Sequence, residues 1–278
     1  MDKITKYAVI GGALVAAGIV ASGMALGSDS DGDIPVPEGC ESLVFEDDFS
    51  TAGAPDSTKW TFEEGYVRNG EMQYYTPGAN VVCSDGLLII EARNDSAVID
   101  GNVCPVTSAS LTTHGRHAWK YGYVEVRARI GSARGTWPAI WMMPETSDYG
   151  EWPRSGEIDI MEHVGYAPEN IHFAAHTERY NHMRGVQNNR VCPAPDAVGQ
   201  FHTYALRWTP DKLTWYYDGE EKYSLRKEAN ADWTSWPFDK EFHLILNLAI
   251  GGGWGGQQGV DTDALPRTFE IDYVRVFQ

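Results

Sequence analysis

Residues 122–130 read GYVEVRARI. Tyr123, Glu125, Arg127 and Arg129 share one parity; Val124, Val126, Ala128 and Ile130 share the other. Such alternation sets an apolar row against a core and a polar row on the opposite face of a β-strand. Runs of similar character recur outward from it: residues 86–92 (GLLIIEA), 201–208 (FHTYALRW), 213–218 (LTWYYD), 242–248 (FHLILNL) and 269–277 (FEIDYVRVF). Gly, Pro, Asn and Asp separate them, and long amphipathic helical stretches are nearly absent after residue 28. Many short strands with frequent turns predict an all-β sandwich or barrel of antiparallel strands. With no fixed-period repeat and no break in the strand pattern, one domain is expected over residues 41–278.

Composition fits that reading. The 278 residues are 42% hydrophobic and 12% aromatic, enough for a sizeable core. Against 22 Lys+Arg stand 39 Asp+Glu, a net charge of −17. Nucleic acid, which needs a positive patch, is excluded as a partner class, and sulfated glycans are disfavoured. The ten Trp serve either as core or as stacking platforms for flat ligand faces. The charged face of residues 122–130, beside aromatic and amide residues on other strands, suits a sugar-binding groove.

The N-terminus carries a different signal. Lys3 and Lys6 precede an uncharged stretch over residues 7–28, the pattern of an export signal, with small residues Ala21, Ser22 and Gly23 offering a cleavage site. Retained, the stretch is long enough for a membrane anchor. The protein is therefore expected outside the cytoplasm: secreted, periplasmic or on the cell surface. Residues 29–40 read as a polar linker. In an oxidising compartment Cys40, Cys83, Cys104 and Cys192 are expected to form disulfides, with three pairings open. Nothing in the sequence indicates an oligomeric state.

The chemistry concentrates in residues 152–165, WPRSGEIDIMEHVG. Three acids at this spacing arise by chance about once in a chain of this composition, so geometry must decide. On a helix Glu157 and Glu162 would lie roughly 140° apart. On a strand Glu157 and Asp159 share a face, and Glu162 falls on the wrong one unless a β-bulge at Ile160–Met161 restores it. Three like charges in one groove are costly unless one holds a proton. Retaining glycoside hydrolysis uses that arrangement, one ionised nucleophile beside one protonated acid. An acidic strand edge in water, or a calcium site, is the plainer alternative. His172 and His176, four apart on a strand, raise a metal site as another, without HExxH or an evident third ligand.

GEIDIMEHVG resembles the active-site strand of glycoside hydrolase family 16. So do, in order, NGEMQYYT (69–76), HAWKYGYVEVRARI (117–130), GTWPAIWMMPE (135–145), FHTYALRWTPD (201–211), WPFDKEFHLILNLAIGGGWGG (236–256) and IDYVRVFQ (271–278). The resemblance implies a β-jelly-roll sandwich of two antiparallel sheets with a concave glycan-binding cleft. The E-x-D-x-x-E form, WPAIWMMP and the GGGWGG loop are most similar to laminarinase-like endo-β-1,3-glucanases, with other β-glycan hydrolases or a non-catalytic glucan-binding protein as alternatives. Residue by residue, it implies Glu157 as nucleophile, Glu162 as acid/base and Asp159 as the helper between them, with no cofactor required. It places Asn69, Glu125, Arg127, Trp137, Trp141, Trp152, His176, Asn247 and Trp254 along a β-glucan cleft, with at least one of Trp137 and Trp141 expected to pack inward. It leaves Trp119, Trp208 and Trp215 structural. It also admits a structural calcium near Asp48, Gly86 and Asp272, bound by oxygen ligands.

Overall fold

The computed structural model describes residues 36–278. The export signal or anchor at 1–28 and most of the linker at 29–40 lie outside these residues. The strands, in chain order, are β1 (Leu43–Asp47), β2 (Thr61–Phe62), β3 (Gln73–Tyr75), β4 (Val81–Ser84), β5 (Leu87–Ala92), β6 (Ala97–Ile99), β7 (Asn102–Cys104), β8 (Val106–Ser108), β9 (Ser110–Thr112), β10 (Gly122–Ile130), β11 (Thr136–Pro144), β12 (Glu157–Glu162), β13 (Asn170–His176), β14 (Asn188–Pro193), β15 (Phe201–Trp208), β16 (Lys212–Tyr217), β17 (Glu220–Arg226), β18 (Phe242–Ile250) and β19 (Arg267–Phe277). A four-residue helix, α1, spans Gly252–Gly255.

Two antiparallel sheets form the sandwich. One runs β17-β16-β15-β10-β19-β5-β4, with β1 also paired to β19; the other runs β14-β13-β12-β11-β18-β9-β2. Apolar parity explains the stacking. Val124, Val126, Ala128 and Ile130 of β10 meet Ile140 and Met142 of β11 and Leu244, Leu246 and Leu248 of β18 in a single core. Trp119, Trp208 and Trp215 are buried in that core, so their structural reading stands.

The opposite row of β10 has another fate. Tyr123, Glu125, Arg127 and Arg129 face away from the core on the first sheet, whereas the cleft lies on the second. Glu125 accepts from the Tyr273 hydroxyl at 2.9 Å and from the Tyr123 hydroxyl at 3.1 Å. Arg127 pairs with Asp272 at 2.6 Å, and Arg129 with Glu270. The expectation that Glu125 and Arg127 line the sugar groove is therefore corrected. They have the right alternation on the wrong sheet, and their charges are matched by neighbouring strands.

The cysteines also depart from expectation. All four thiols are free and buried. Cys83 and Cys192 pack into the main core, Cys40 into a small cluster with Tyr123 and Ala205. Burial pushes the Cys83 thiol up to about 11. These side chains behave as small apolar residues, each buried where it stands.

Candidate active site

β12 is where the strand alternation breaks. Across its border with β11, Asp159 stands opposite Trp141, but Met161 opposite Ile140 and Glu162 opposite Ala139. Across its border with β13, Asp159 stands opposite Ala174 and Glu162 opposite His172. Three steps along β12 thus match two along each neighbour, which is a β-bulge at Ile160–Met161. Ile158, Ile160 and Met161 all point into the core. The extra residue returns Glu162 to the face of Glu157 and Asp159, and the three acids line one cleft of about 870 Å³.

Their surroundings differ. Glu157 Oε2 accepts from Trp152 Nε1 at 2.7 Å. Glu162 Oε1 accepts from Trp137 Nε1 at 3.0 Å. Asp159 is only 2% exposed. His176 Nε2 lies 3.3 Å from Asp159 Oδ2 and 3.7 Å from Glu157 Oε1. Burial above all, then the Glu157 charge and a hydrogen bond to it, hold Asp159 well above the usual carboxylate range. Burial, then the charges of Asp159 and Glu157, also push Glu162 well up, against weaker opposing pulls from His176 and the Trp137 N–H. Carboxyls whose pKa values are pushed up by burial and by one another are the arrangement that divides acid from nucleophile.

Two aromatic walls flank the acids. On the Glu162 side Trp254 meets Trp137 edge-on at 5.4 Å and His172 at 4.8 Å. On the Glu157 side Trp152 packs 5.0 Å from His182 and 6.1 Å from His176. The floor is a relay of polar groups. Trp141 Nε1 donates to Asn247 Oδ1 at 2.7 Å, and Asn247 Nδ2 donates to the Tyr75 hydroxyl at 3.0 Å. Tyr75 donates to Glu71 Oε2 at 3.2 Å, where Gln73 Nε2 also donates at 2.7 Å; Asn69 Nδ2 donates to Glu71 Oε1 at 3.0 Å. Arg68 lies 4.9 Å over the Trp141 ring. The Asn69 carbonyl takes the Gly253 N–H at 3.0 Å, tying this floor to the Trp254 loop. That approach needs Gly252, whose φ is +73° and where a Cβ would come within 3.0 Å of Glu71 Cγ. Flat apolar rings around fixed donors and acceptors match the two surfaces of a pyranose.

Residues 69–275 match the glycosyl hydrolases family 16. The chain belongs to that family. It is 46% identical over 263 residues to the beta-glucanase of Rhodothermus marinus, covering 91% of this chain and 89% of that one. The X-ray structure of the laminarinase from Rhodothermus marinus superposes with a TM-score of 0.81 at 46% identity, over 85% of this chain and 97% of that one. The endo-beta-1,3-glucanase from Pyrococcus furiosus gives 0.77 at 35% identity, over 85% and 94%.

In this family 16 hydrolase the cleft gathers Asn69, Trp137, Trp141, Trp152, His176, Asn247 and Trp254 with the three acids, and leaves out Glu125 and Arg127. Trp137 and Trp141 both face the cleft, against the expectation that one packs inward. Four residues apart on one strand, they share a parity, so they cannot split between faces. His172 and His176 also share the cleft face, yet His172 turns to Trp254 while His176 turns to the acids. Burial pushes His172 down to about 4, so it is neutral near pH 7. Of the residues named for calcium, Asp272 Oδ2 takes Arg127 Nη1 at 2.6 Å, and Asp48 Oδ1 takes the Ser50 N–H and hydroxyl. One carboxylate there thus already has a guanidinium partner.

Sequence reasoning missed Arg68, Glu71 and His182, all in the cleft. Glu71-Met72-Gln73-Tyr74-Tyr75 alternates polar groups with period two, and that signal could have flagged Glu71. His182 sits in a single 3₁₀ turn after β13, where no periodicity points to it.

Proposed function

We propose that this family 16 hydrolase is a retaining endo-β-1,3-glucanase acting on laminarin-type β-glucans by double displacement. The observation that carries the reading is the bulge at Ile160–Met161, which puts Glu157 and Glu162 on either side of Asp159 in one aromatic-walled cleft. Glu157 attacks the anomeric carbon as Glu162 protonates the departing glycosidic oxygen. The product is a glycosyl ester on Glu157 and a carboxylate at Glu162. Glu162 then takes a proton from water, the water oxygen attacks the anomeric carbon, and Glu157 leaves as carboxylate. Every proton passes through Glu162 or water, and these steps draw on no cofactor.

The electrostatics suit both halves of the cycle. Part of what keeps Glu162 protonated is the Glu157 charge. Esterification removes that charge, so the Glu162 pKa falls as its task changes from acid to base. Asp159, whose pKa burial holds up, donates a hydrogen bond to Glu157, and Glu157 Oε2 also accepts from the Trp152 N–H. Export through residues 1–28 accords with a polymer too large to enter a cell.

Proton NMR of fresh products from laminarin tests the proposal. The β-anomer is expected first, with α-anomer growing in by mutarotation. An initial α-anomer would exclude the double displacement, and no products from laminarin, lichenan, agarose or carrageenan would exclude hydrolysis.

A further inference from the structure

Away from the three acids, the ends of three adjacent strands bring together two imidazoles and a carboxylate. β18 lies between β11 and β9 in the second sheet. The register puts His243 opposite Met143, with Glu145 immediately after β11. It also puts Ile245 opposite Thr112, and Thr113 N donates to Leu244 O at 3.0 Å, which brings His114 alongside His243. The His114 and His243 rings lie 4.6 Å apart. One ligand-type atom from each of His114, Glu145 and His243 falls within 4.8 Å of the others.

Two of these atoms lack partners. His243 is only 8% exposed. Its Nδ1 and Glu145 Oε2 are buried with no hydrogen bond, although they stand 3.2 Å apart. Glu145 Oε1 is fixed by the Gly115 N–H at 2.9 Å, so the carboxylate is oriented with Oε2 toward the histidines. Leaving a buried imidazole nitrogen and a carboxylate oxygen unmatched is costly. A cation between them would match both. Ligands at about 2.0–2.1 Å on a tetrahedral ion stand roughly 3.3 Å apart, close to the 3.2 Å between His243 Nδ1 and Glu145 Oε2.

We propose that His114, Glu145 and His243 form a binding site for a divalent transition cation, with zinc the best match to two imidazoles, one carboxylate and one water. The donor set is nitrogen-rich, which favours zinc over calcium or magnesium. His114 is exposed to solvent, which gives the ion an entry path. The bound ion would clamp the turn after β9 to the ends of β11 and β18, the two strands that carry Trp137, Trp141 and Asn247.

The test is zinc uptake by the untagged protein after chelator treatment, followed by calorimetry and thermal melting. One zinc per chain and a raised melting temperature are expected. The exposed ligand gives the safest variant: His114→Ala should fold normally and lose affinity by more than the roughly 10–100-fold typical of an outer-shell partner. Glu145→Gln should do the same. The cleft set Glu157, Asp159 and His176 also brings ligand atoms within 4.8 Å. His176→Ala is therefore run in parallel and should bind zinc as the unaltered protein does. No saturable uptake, undiminished affinity in His114→Ala, or loss of binding only in His176→Ala would each overturn the proposal.

Discussion

The outward face of β10 and the cleft face of β12 look alike in sequence and differ in chemistry. Each sets charged residues at alternating positions over apolar ones. On β10, Arg127 and Arg129 meet Asp272 and Glu270, and Glu125 takes two tyrosine hydroxyls. On β12, the basic side chain beside Glu157 and Asp159 is the imidazole of His176, and Glu157 and Glu162 each accept from an indole N–H. Matched charges tie neighbouring strands together. Crowded, buried acids facing weak partners share protons instead. The difference lies in what the adjoining strands supply.

The sharpest way to break this contrast is at Glu157. Glu157→Ser should cut laminarin hydrolysis by about 10⁴-fold or more while glucan binding, read by affinity electrophoresis, persists. Residual activity within tenfold of the unaltered enzyme would place the nucleophile elsewhere.

Glu162→Gln comes next, with a loss of about 10²–10⁴-fold. It also sharpens the electrostatic argument. Glu162 must hold its proton in the first step, and its raised pKa keeps that proton past the ordinary carboxylate range. Activity of the unaltered enzyme should fall as pH climbs through that raised value, and the remaining activity of Glu162→Gln should lack this alkaline limb. Stability follows the same sign. A carboxyl raised on folding contributes fully below its unfolded pKa and loses that contribution as pH rises through the folded value. Glu162→Gln should therefore melt closer to, or above, the unaltered protein in alkali than in acid. Parallel melting curves across pH would contradict the buried protonated state.

A smaller effect is expected from Trp152→Phe, which keeps the ring but removes the N–H 2.7 Å from Glu157. A hydrogen bond to a charged group contributes about 1.5–3 kcal/mol, so kcat should drop roughly 10–100-fold with KM little changed. A rise in KM alone would make Trp152 a stacking platform and nothing more.

How far the sequence could be read follows from the same contrast. Period-two alternation is local, so β10, β15, β18 and β19 are legible in sequence, and the parity fault at Glu162 alone calls for the bulge. Which sheet a strand joins is set by pairing over long sequence distances, as where β10 meets β15 and β19. The alternation of Glu125 and Arg127 carries no trace of that choice, so it suits the cleft and the opposite sheet equally well. Trp137 and Trp141 show the reverse case: parity alone sets both indoles on one face. Compartment chemistry says that thiols pair, not that they lie near one another, and the four cysteines stand free and buried.

The mildest substitution tests the other half of the contrast. Arg127→Gln removes a cation that pairs with Asp272 at 2.6 Å and lies 4.8 Å over the Phe201 ring, with both ion-pair side chains part-exposed. Such a pair contributes about 1 kcal/mol or less and is screened by salt. The variant should melt slightly lower, with a gap that narrows as salt rises. Its kcat and KM on laminarin should stay within about twofold, because the core separates this face from the acids. A tenfold fall in kcat would mean that the matched face transmits to the cleft, and the two rows of charge could no longer be treated as independent.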